Sequence, residues 1–334
     1  MVAHFSLLVL LVQLVERIPM PPPPAKPGRG RPRVYQDRLF LKALVIMLVR
    51  HLNSAYEFLA VVEQPTLEMQ TLREVLCRDT PEGQWPSRRT WERRLAAIPA
   101  TLPAQIGCLG RYLVGAIDPF AACGRAVAMD STLLRAFGGY AWHKKQREAG
   151  LVPHTGIDTE AAWTKSGHHG WVYGWALHLV ATAGPVWIPL AAQLTPANEA
   201  DNEVAPLLLN ELPDQVRFVL GDTHYNAPQV RQECALRGRT LVASGHGSYP
   251  HPDDANNSKA VRQVLHKLRS VTIENFNQQF KGIFDGHRSV PTKGRVKTQR
   301  WALSAVLVYQ LLLFYRWESH LSLRVGLKAC LKAA

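Results

Sequence analysis

The sequence predicts an α/β protein, a sheet set inside helical flanks behind a mainly helical N-terminal domain. Three observations carry that reading. Apolar residues recur at helical spacing from Tyr35 to about Leu95. From residue 124 onward, β-branched and aromatic runs alternate with helical patterns. Two of those runs stop at an aspartate before a polar turn.

The elements follow in order. Residues 5–15 (FSLLVLLVQLV) form a short apolar helix. No basic segment precedes it, Glu16, Arg17 and a proline run follow it, and it is too short to span a bilayer, so it is expected to pack rather than to act as a leader or an anchor. Residues 19–33 (PMPPPPAKPGRGRPR) form a stiff extended arm, because proline fixes φ and removes donors. Lys26, Arg29, Arg31, Arg33 and Arg38 face only Asp37 there, and such an arm either lies along phosphates or in a minor groove, Arg31 and Arg33 foremost, or is a solvated linker. Residues 1–34 are thus an apolar helix and a basic arm.

Residues 35–120 make a helical domain whose expected role is DNA binding. DRLFLKALVIMLVRHL and SAYEFLAVVEQ are its helices, punctuated by Pro65 and Pro81. SRRTWERRL places Arg88, Arg89, Arg93 and Arg94 on a short helix with Ser87 as its cap.

Residues 121–334 hold the sheet and the C-terminal helices. AVAMDST is a buried strand ending in an acid, and GWVYGWALHLVATAGPVWIPLAAQLT is two strands turning at Ala183-Gly184-Pro185. NEADNEVAPLLLNEL is helical, VRFVLGDTHYN is a strand ending in an aspartate, APQVRQECALRG is a helix stopped by Gly238, and TLVASG is a short last strand. Residues 246–258 are a polar loop, a helix is expected around 259–281, and Trp301–Trp317 is an apolar packing helix interrupted by Gln310 and Arg316.

Composition narrows the function. A chain of 334 residues that is 47% hydrophobic and 19% charged is globular, and its net charge of +13 favours a polyanionic partner. Five scattered cysteines without a C-x-x-C pair argue against a disulfide framework or a cysteine zinc site and fit a reducing, cytoplasmic interior. His168-His169 has no H-E-x-x-H context, so the pair reads as loop rather than as a zinc hydrolase.

The acids carry the chemistry. Asp130 and Asp222 each end an apolar strand, where neighbouring strands of an α/β sheet open a shared crevice. Two carboxylates there repel unless a cation neutralises them, and hard oxygen ligands favour Mg²⁺ or Mn²⁺. A pair of such ions activates an attacking oxygen and stabilises a leaving one. Glu274, in SVTIENFNQQFKGIF, is the candidate third ligand, on a helix capped by Ser270 or Thr272 with Lys281 seven residues on and on the same side. An amphipathic surface helix is the plainer reading of that segment.

At these residues the sequence resembles the DDE transposases of the IS4/IS5-type insertion sequences. AVAMDST, YGWALHLV with LTPANEADN, VLGDTHYN and IENFNQQFKGIF follow one another from about residue 124 to 317, and TPANEAD is the block that no generic fold requires. The resemblance implies an RNase-H-like mixed sheet flanked by helices, with Asp130, Asp222 and Glu274 as catalytic and metal-binding triad for two Mg²⁺ or Mn²⁺ ions. It implies cleavage of double-stranded DNA at the element's terminal inverted repeats, joining of the freed 3′-hydroxyls to target DNA, a homodimer in the active complex, and a bacterial, nucleoid-associated protein. The family's signature runs Tyr, two residues, Arg, three residues, Glu, six residues, Lys. Glu274 and Lys281 keep that spacing, whereas His266 stands for the tyrosine and Arg269 precedes the glutamate by five residues. On a regular helix that offset swings Arg269 away from Glu274.

A basic cluster surrounds the glutamate: Lys259, Arg262, Lys267, Arg269, Lys281, Arg288, Lys293, Arg295, Lys297 and Arg300 against Glu274 and Asp285. Lys281, Arg269, His266, Arg288, Lys293 and Arg295 are the expected DNA contacts. Two other functions share these features: an RNase-H-like nuclease that cleaves without joining, and an inactive or domesticated transposase-derived DNA-binding protein.

Overall fold

The structure is a computed structural model that describes residues 6–22, 34–117, 125–138, 144–151, 156–167, 170–243, 263–264 and 267–332. Arg31, Arg33, His168, His169, Lys259, Arg262 and His266 lie outside the described residues. The chain divides into two compact units, Met1–Leu109 with Val296–Ala334, and Gly110–Arg295.

The first unit begins with helices α1 (Leu7–Leu14), α2 (Asp37–Val49), α3 (Ala55–Val62), α4 (Leu67–Cys77) and α5 (Arg88–Ala97), and α6 (Leu102–Ile117) starts within it. The sequence starts four of them with a hydroxyl: Ser6, Ser54, Thr66 and Ser87 each accept the backbone N–H three residues on. Trp91 on α5 is fully buried, its ring centroid 5.0 Å from those of Phe40 and Phe58. Lys42 is also fully buried; its Nζ lies 2.9 Å from Glu16 Oε1, 2.6 Å from Asp79 Oδ2 and 2.8 Å from Val75 O. Two of the four arginines on α5 have structural roles here, Arg94 pairing with Asp37 over the Phe40 ring and Arg88 with Glu92, while Arg89 and Arg93 are exposed.

Among the described residues the second unit holds six strands: β1 (Ala126–Arg135), β2 (Ala162–Ser166), β3 (Gly170–Thr182), β4 (Pro189–Pro196), β5 (Phe218–Gly221) and β6 (Thr240–Ala243). Their order is β2-β3-β1-β5-β6, with β4 also on β3. The long β3 pairs antiparallel with β1, with β2 along residues 170–174 and with β4 along 175–181, while β1, β5 and β6 run parallel. An antiparallel meander followed by two parallel strands is the mixed, RNase-H-like arrangement expected from the sequence. The parallel steps require crossovers, supplied by α8 (Asp201–Asn210) before β5 and α9 (Pro228–Leu236) before β6; α7 (Lys144–Glu148) precedes β2 and α10 (Asn275–Ile283) follows the sheet. Gly174 lets β3 meet β1, since a Cβ there would stand 2.1 Å from Leu134 O.

Two details differ from the sequence reading. Strand β1 does not end at Asp130; it runs on to Arg135, because Ser131–Arg135 keeps pairing with β3. Strand β2 was not anticipated, since AWTKS is short and polar enough to read as loop. The segment after α10 is tied to the same sheet: Val290 N donates to Arg135 O at 2.8 Å, Gly294 N to Asp158 Oδ2 at 3.0 Å and Arg295 N to Glu160 Oε2 at 2.8 Å.

Helix α11 (Arg295–Glu318) is buried nearly all round, as expected for a helix at the centre of a core. Gln310 Nε2 donates to Ile106 O at 2.8 Å, Arg300 Nη2 to Asn53 O at 2.8 Å, and Arg17 pairs with Glu318, so this helix shares its core with the N-terminal helices. Arg300 is therefore a buried structural residue and not part of a basic surface. A short α12 (Leu327–Lys332) closes the unit. Among the described residues no helix is long and apolar enough to cross a membrane.

Candidate functional site

The site grows from the register of β1 and β5. Ala128 pairs with Leu220, so Asp130 and Asp222 each lie two residues further along adjacent parallel strands. Beyond Gly221 the chain turns tightly into Thr223–Tyr225, where a Cβ on Gly221 would stand 2.8 Å from Tyr225 Cβ. Asp222 caps that turn: Oδ1 accepts from His224 N at 2.8 Å, and Oδ2 lies 2.9 Å from His224 Nδ1. That hydrogen bond holds the His224 pKa above the usual histidine range. Burial pushes the Asp130 carboxyl up to about 7, the neighbouring Asp222 charge adds to the rise, and Arg269 opposes it. A carboxylate so raised marks a place where positive charge is wanted.

The segment carrying Glu274 does not start a helix at Ser270 or Thr272. Residues Ser270–Glu274 form a π turn, Thr272 is fully buried without a capping role, and α10 continues from Asn275. In a regular α-helix five residues span about 500°, leaving the two ends roughly 140° apart. The wider π turn returns Arg269 to the glutamate, and Arg269 Nη2 lies 3.1 Å from Glu274 Oε1. The expectation that the five-residue spacing separates them is thus corrected. Further along the same side, Asn277 Nδ2 donates to Asp130 Oδ2 at 3.1 Å. Lys281 is half-buried, and that burial holds its ammonium pKa below the usual range, with Asp130 opposing the effect.

The TPANEAD block ends in Asp201, on the first turn of α8. His178, fully buried on β3 opposite Ser131, points Nδ1 at Asp201 Oδ1 (3.1 Å) and Nε2 at Thr195 Oγ1 (2.9 Å). Burial would raise the Asp201 pKa, but hydrogen bonds from His178 and Ser131 outweigh it and bring it below the usual carboxylate range. A lone histidine inside an apolar strand gave no hint of this pairing; the polar character of TPANEAD was the available signal.

Asp130, Asp222, Glu274, Arg269 and Lys281 line one open cleft of about 870 Å³, together with Asp201, His224 and Asn277. Arg288, Lys293 and Arg295 are exposed on the segment after α10 and do not line the cleft. The donor chemistry fits a hard divalent cation at Asp130 and Asp222, since both carboxylates offer only oxygen. Glu274 reaches the same cleft with its carboxylate engaged by Arg269. Among the described residues no three His, Cys, Asp or Glu side chains stand close enough to hold an ion as they are.

Residues 121–311 match the family described as "Transposase DDE domain". No curated protein matches the sequence. Among solved structures, the chain is similar to a piggyBac transposase synaptic complex with hairpin DNA, at 8% identity and a TM-score of 0.38, covering 97% of this chain and 75% of that one. It is also similar to a pre-cleavage Mos1 transpososome, at 11% identity and a TM-score of 0.21, covering 86% and 80%. At those scores neither structure adds to the match along the sequence.

Proposed function

Because the chain belongs to the transposase DDE-domain family, we propose that it cuts DNA at the ends of an insertion sequence of the IS4/IS5 type and joins the freed 3′ ends to target DNA. The observation that carries the reading is the pair Asp130 and Asp222, two residues beyond the paired Ala128 and Leu220 of adjacent parallel strands and lining one cleft, with the Asp130 acid raised to about 7.

Asp130, Asp222 and Glu274 are the residues that would hold two Mg²⁺ or Mn²⁺ ions, which when bound activate the attacking oxygen and stabilise the leaving one. Asp130, whose acid burial raises to about 7, would be held ionised by such a cation. Glu274 would serve as a ligand only once freed from Arg269, and the Arg269 guanidinium and Lys281, which line the same cleft, would then hold a phosphate of the strand being cut. Arg288, Lys293 and Arg295 guide the duplex through backbone phosphates, and Arg31, Arg33 and His266 extend that contact. Bringing two element ends together calls for a homodimer in the active complex.

The test is cleavage of labelled duplexes carrying the inverted repeats that flank the gene, with Mg²⁺ or Mn²⁺. Asp130→Ala, Asp222→Ala and Glu274→Ala should each lower cleavage by a factor on the order of 10³ or more while duplex affinity holds within about threefold. Cutting retained by any one variant removes that residue from the triad. A second reading, a DNA-binding protein without cleavage, draws on the ion pair that occupies Glu274; a metal-dependent nick in the wild type would end it. Nicks without joined product would instead favour a nuclease that does not transfer strands.

A further inference from the structure

Asn277 follows Glu274 by three residues, on the side of α10 that lines the cleft. Only 8% of its surface is exposed. Its Nδ2 donates to Asp130 Oδ2 at 3.1 Å, and its Oδ1 is buried without a hydrogen-bond partner among the described residues. A buried amide oxygen left in that state costs about 1–3 kcal/mol, so such groups are normally satisfied. Beside it stands the Asp130 carboxylate, in a cleft of about 870 Å³ that faces solvent. One half of the amide is engaged and the other waits, in a place where a hydrated cation would bring donors.

Resting on the function proposed above, we propose that Asn277 is a positioning residue of the cation centre. Its amide N–H orients the Asp130 carboxylate, and its amide oxygen is the neutral acceptor for the coordinated water of a divalent ion held there. Magnesium and manganese keep several waters when bound, and each needs an acceptor. A leucine or alanine at this position would pack on the helix equally well and offer neither contact. The arrangement therefore assigns Asn277 to the ion and not only to the fold.

The test is binding of Mn²⁺ alone to the full chain, followed by the electron paramagnetic resonance signal of free Mn²⁺, with thermal unfolding recorded alongside. Wild type should bind Mn²⁺ and Asp130→Ala should not. Asn277→Ala should weaken binding about tenfold, a change of about 1.4 kcal/mol, without lowering the unfolding temperature in proportion. Should the alanine variant fail to fold, Asn277→Leu carries the same expectation as a near-isostere. Alanine or leucine variants that bind Mn²⁺ like wild type would overturn the inference and leave the functional reading standing. Wild type without Asp130-dependent Mn²⁺ binding would overturn both.

Discussion

Arg269 Nη2 stands 3.1 Å from Glu274 Oε1 although five residues of chain separate them. The pair exists because Ser270–Glu274 is wound as a π turn, which absorbs one residue more than the α-helix that continues from it. Removing Val271, whose side chain is half exposed, should restore a four-residue spacing that a regular α-helix accommodates. The deletion is expected to keep cleavage within about threefold of wild type, whereas inserting one alanine after Val271 should abolish it, both followed on the same labelled duplex. Loss of cleavage by the folded deletion variant would show that the wide turn itself, and not the ion pair, is what the site needs.

The Asp130 carboxyl sets a pH dependence of stability. Its folded value, raised to about 7, lies above the unfolded value near 4, so its protonated form is favoured in the folded chain. That contribution is fully present below about pH 4 and is lost as pH rises through about 7, a cost on the order of 4 kcal/mol in the metal-free protein. Asp130→Asn should therefore melt several degrees higher than wild type at pH 8 and at nearly the same temperature at pH 4, with saturating Mg²⁺ erasing the gain. Equal melting temperatures at pH 8 would argue that the carboxylate is already neutralised.

In the first unit, Lys42 satisfies Glu16, Asp79 and Val75 O from a fully buried position. Lys42→Ala leaves two acids and a carbonyl facing an empty space and should cost about 3–5 kcal/mol in chemical denaturation. Lys42→Met, which fills the space without the charge, leaves Asp79 without this cation and Glu16 with Arg78, and should recover no more than about a third of that loss. A change below 1 kcal/mol in the alanine variant would refute the assignment.

Arg288 and Arg295 are exposed beyond α10. If both contact phosphates, Arg288→Ala with Arg295→Ala should lower the slope of log K against log salt by about 1.8 and weaken all duplexes alike. An unchanged slope in fluorescence anisotropy titrations would place the DNA elsewhere.

Much of the site is legible along the chain, and the unread parts have physical reasons. Asp222 announces itself because it follows a segment whose Val216, Val219 and Leu220 are buried and precedes a polar turn. Asp130 is legible as an acid at the end of AVAM, but the strand's continuation to Arg135 depends on partners in β3 that no local pattern reveals. The π turn has the composition of any helix; only the hydrogen-bond geometry distinguishes it. Asn277 is silent because an amide one turn after a glutamate has no periodic or charge signal. Asp201 and His178 are far apart in sequence and meet only because β3 and the start of α8 flank one strand. The apolar length of Trp301–Trp317 is a sound sign of a central helix, but its partners Ile106 and Asn53 lie some two hundred residues earlier.

The first compact unit is assembled from the two ends of the chain, with residues 110–295 intervening. On the ribosome, Ile106 and Asn53 must wait for α11, which brings Gln310 and Arg300 to their carbonyls, while the unit that holds the acids is already complete in sequence. Synthesis thus finishes the sheet before it can finish its helical companion, and a nascent chain stalled shortly before Arg295 would carry the acids without that companion's core.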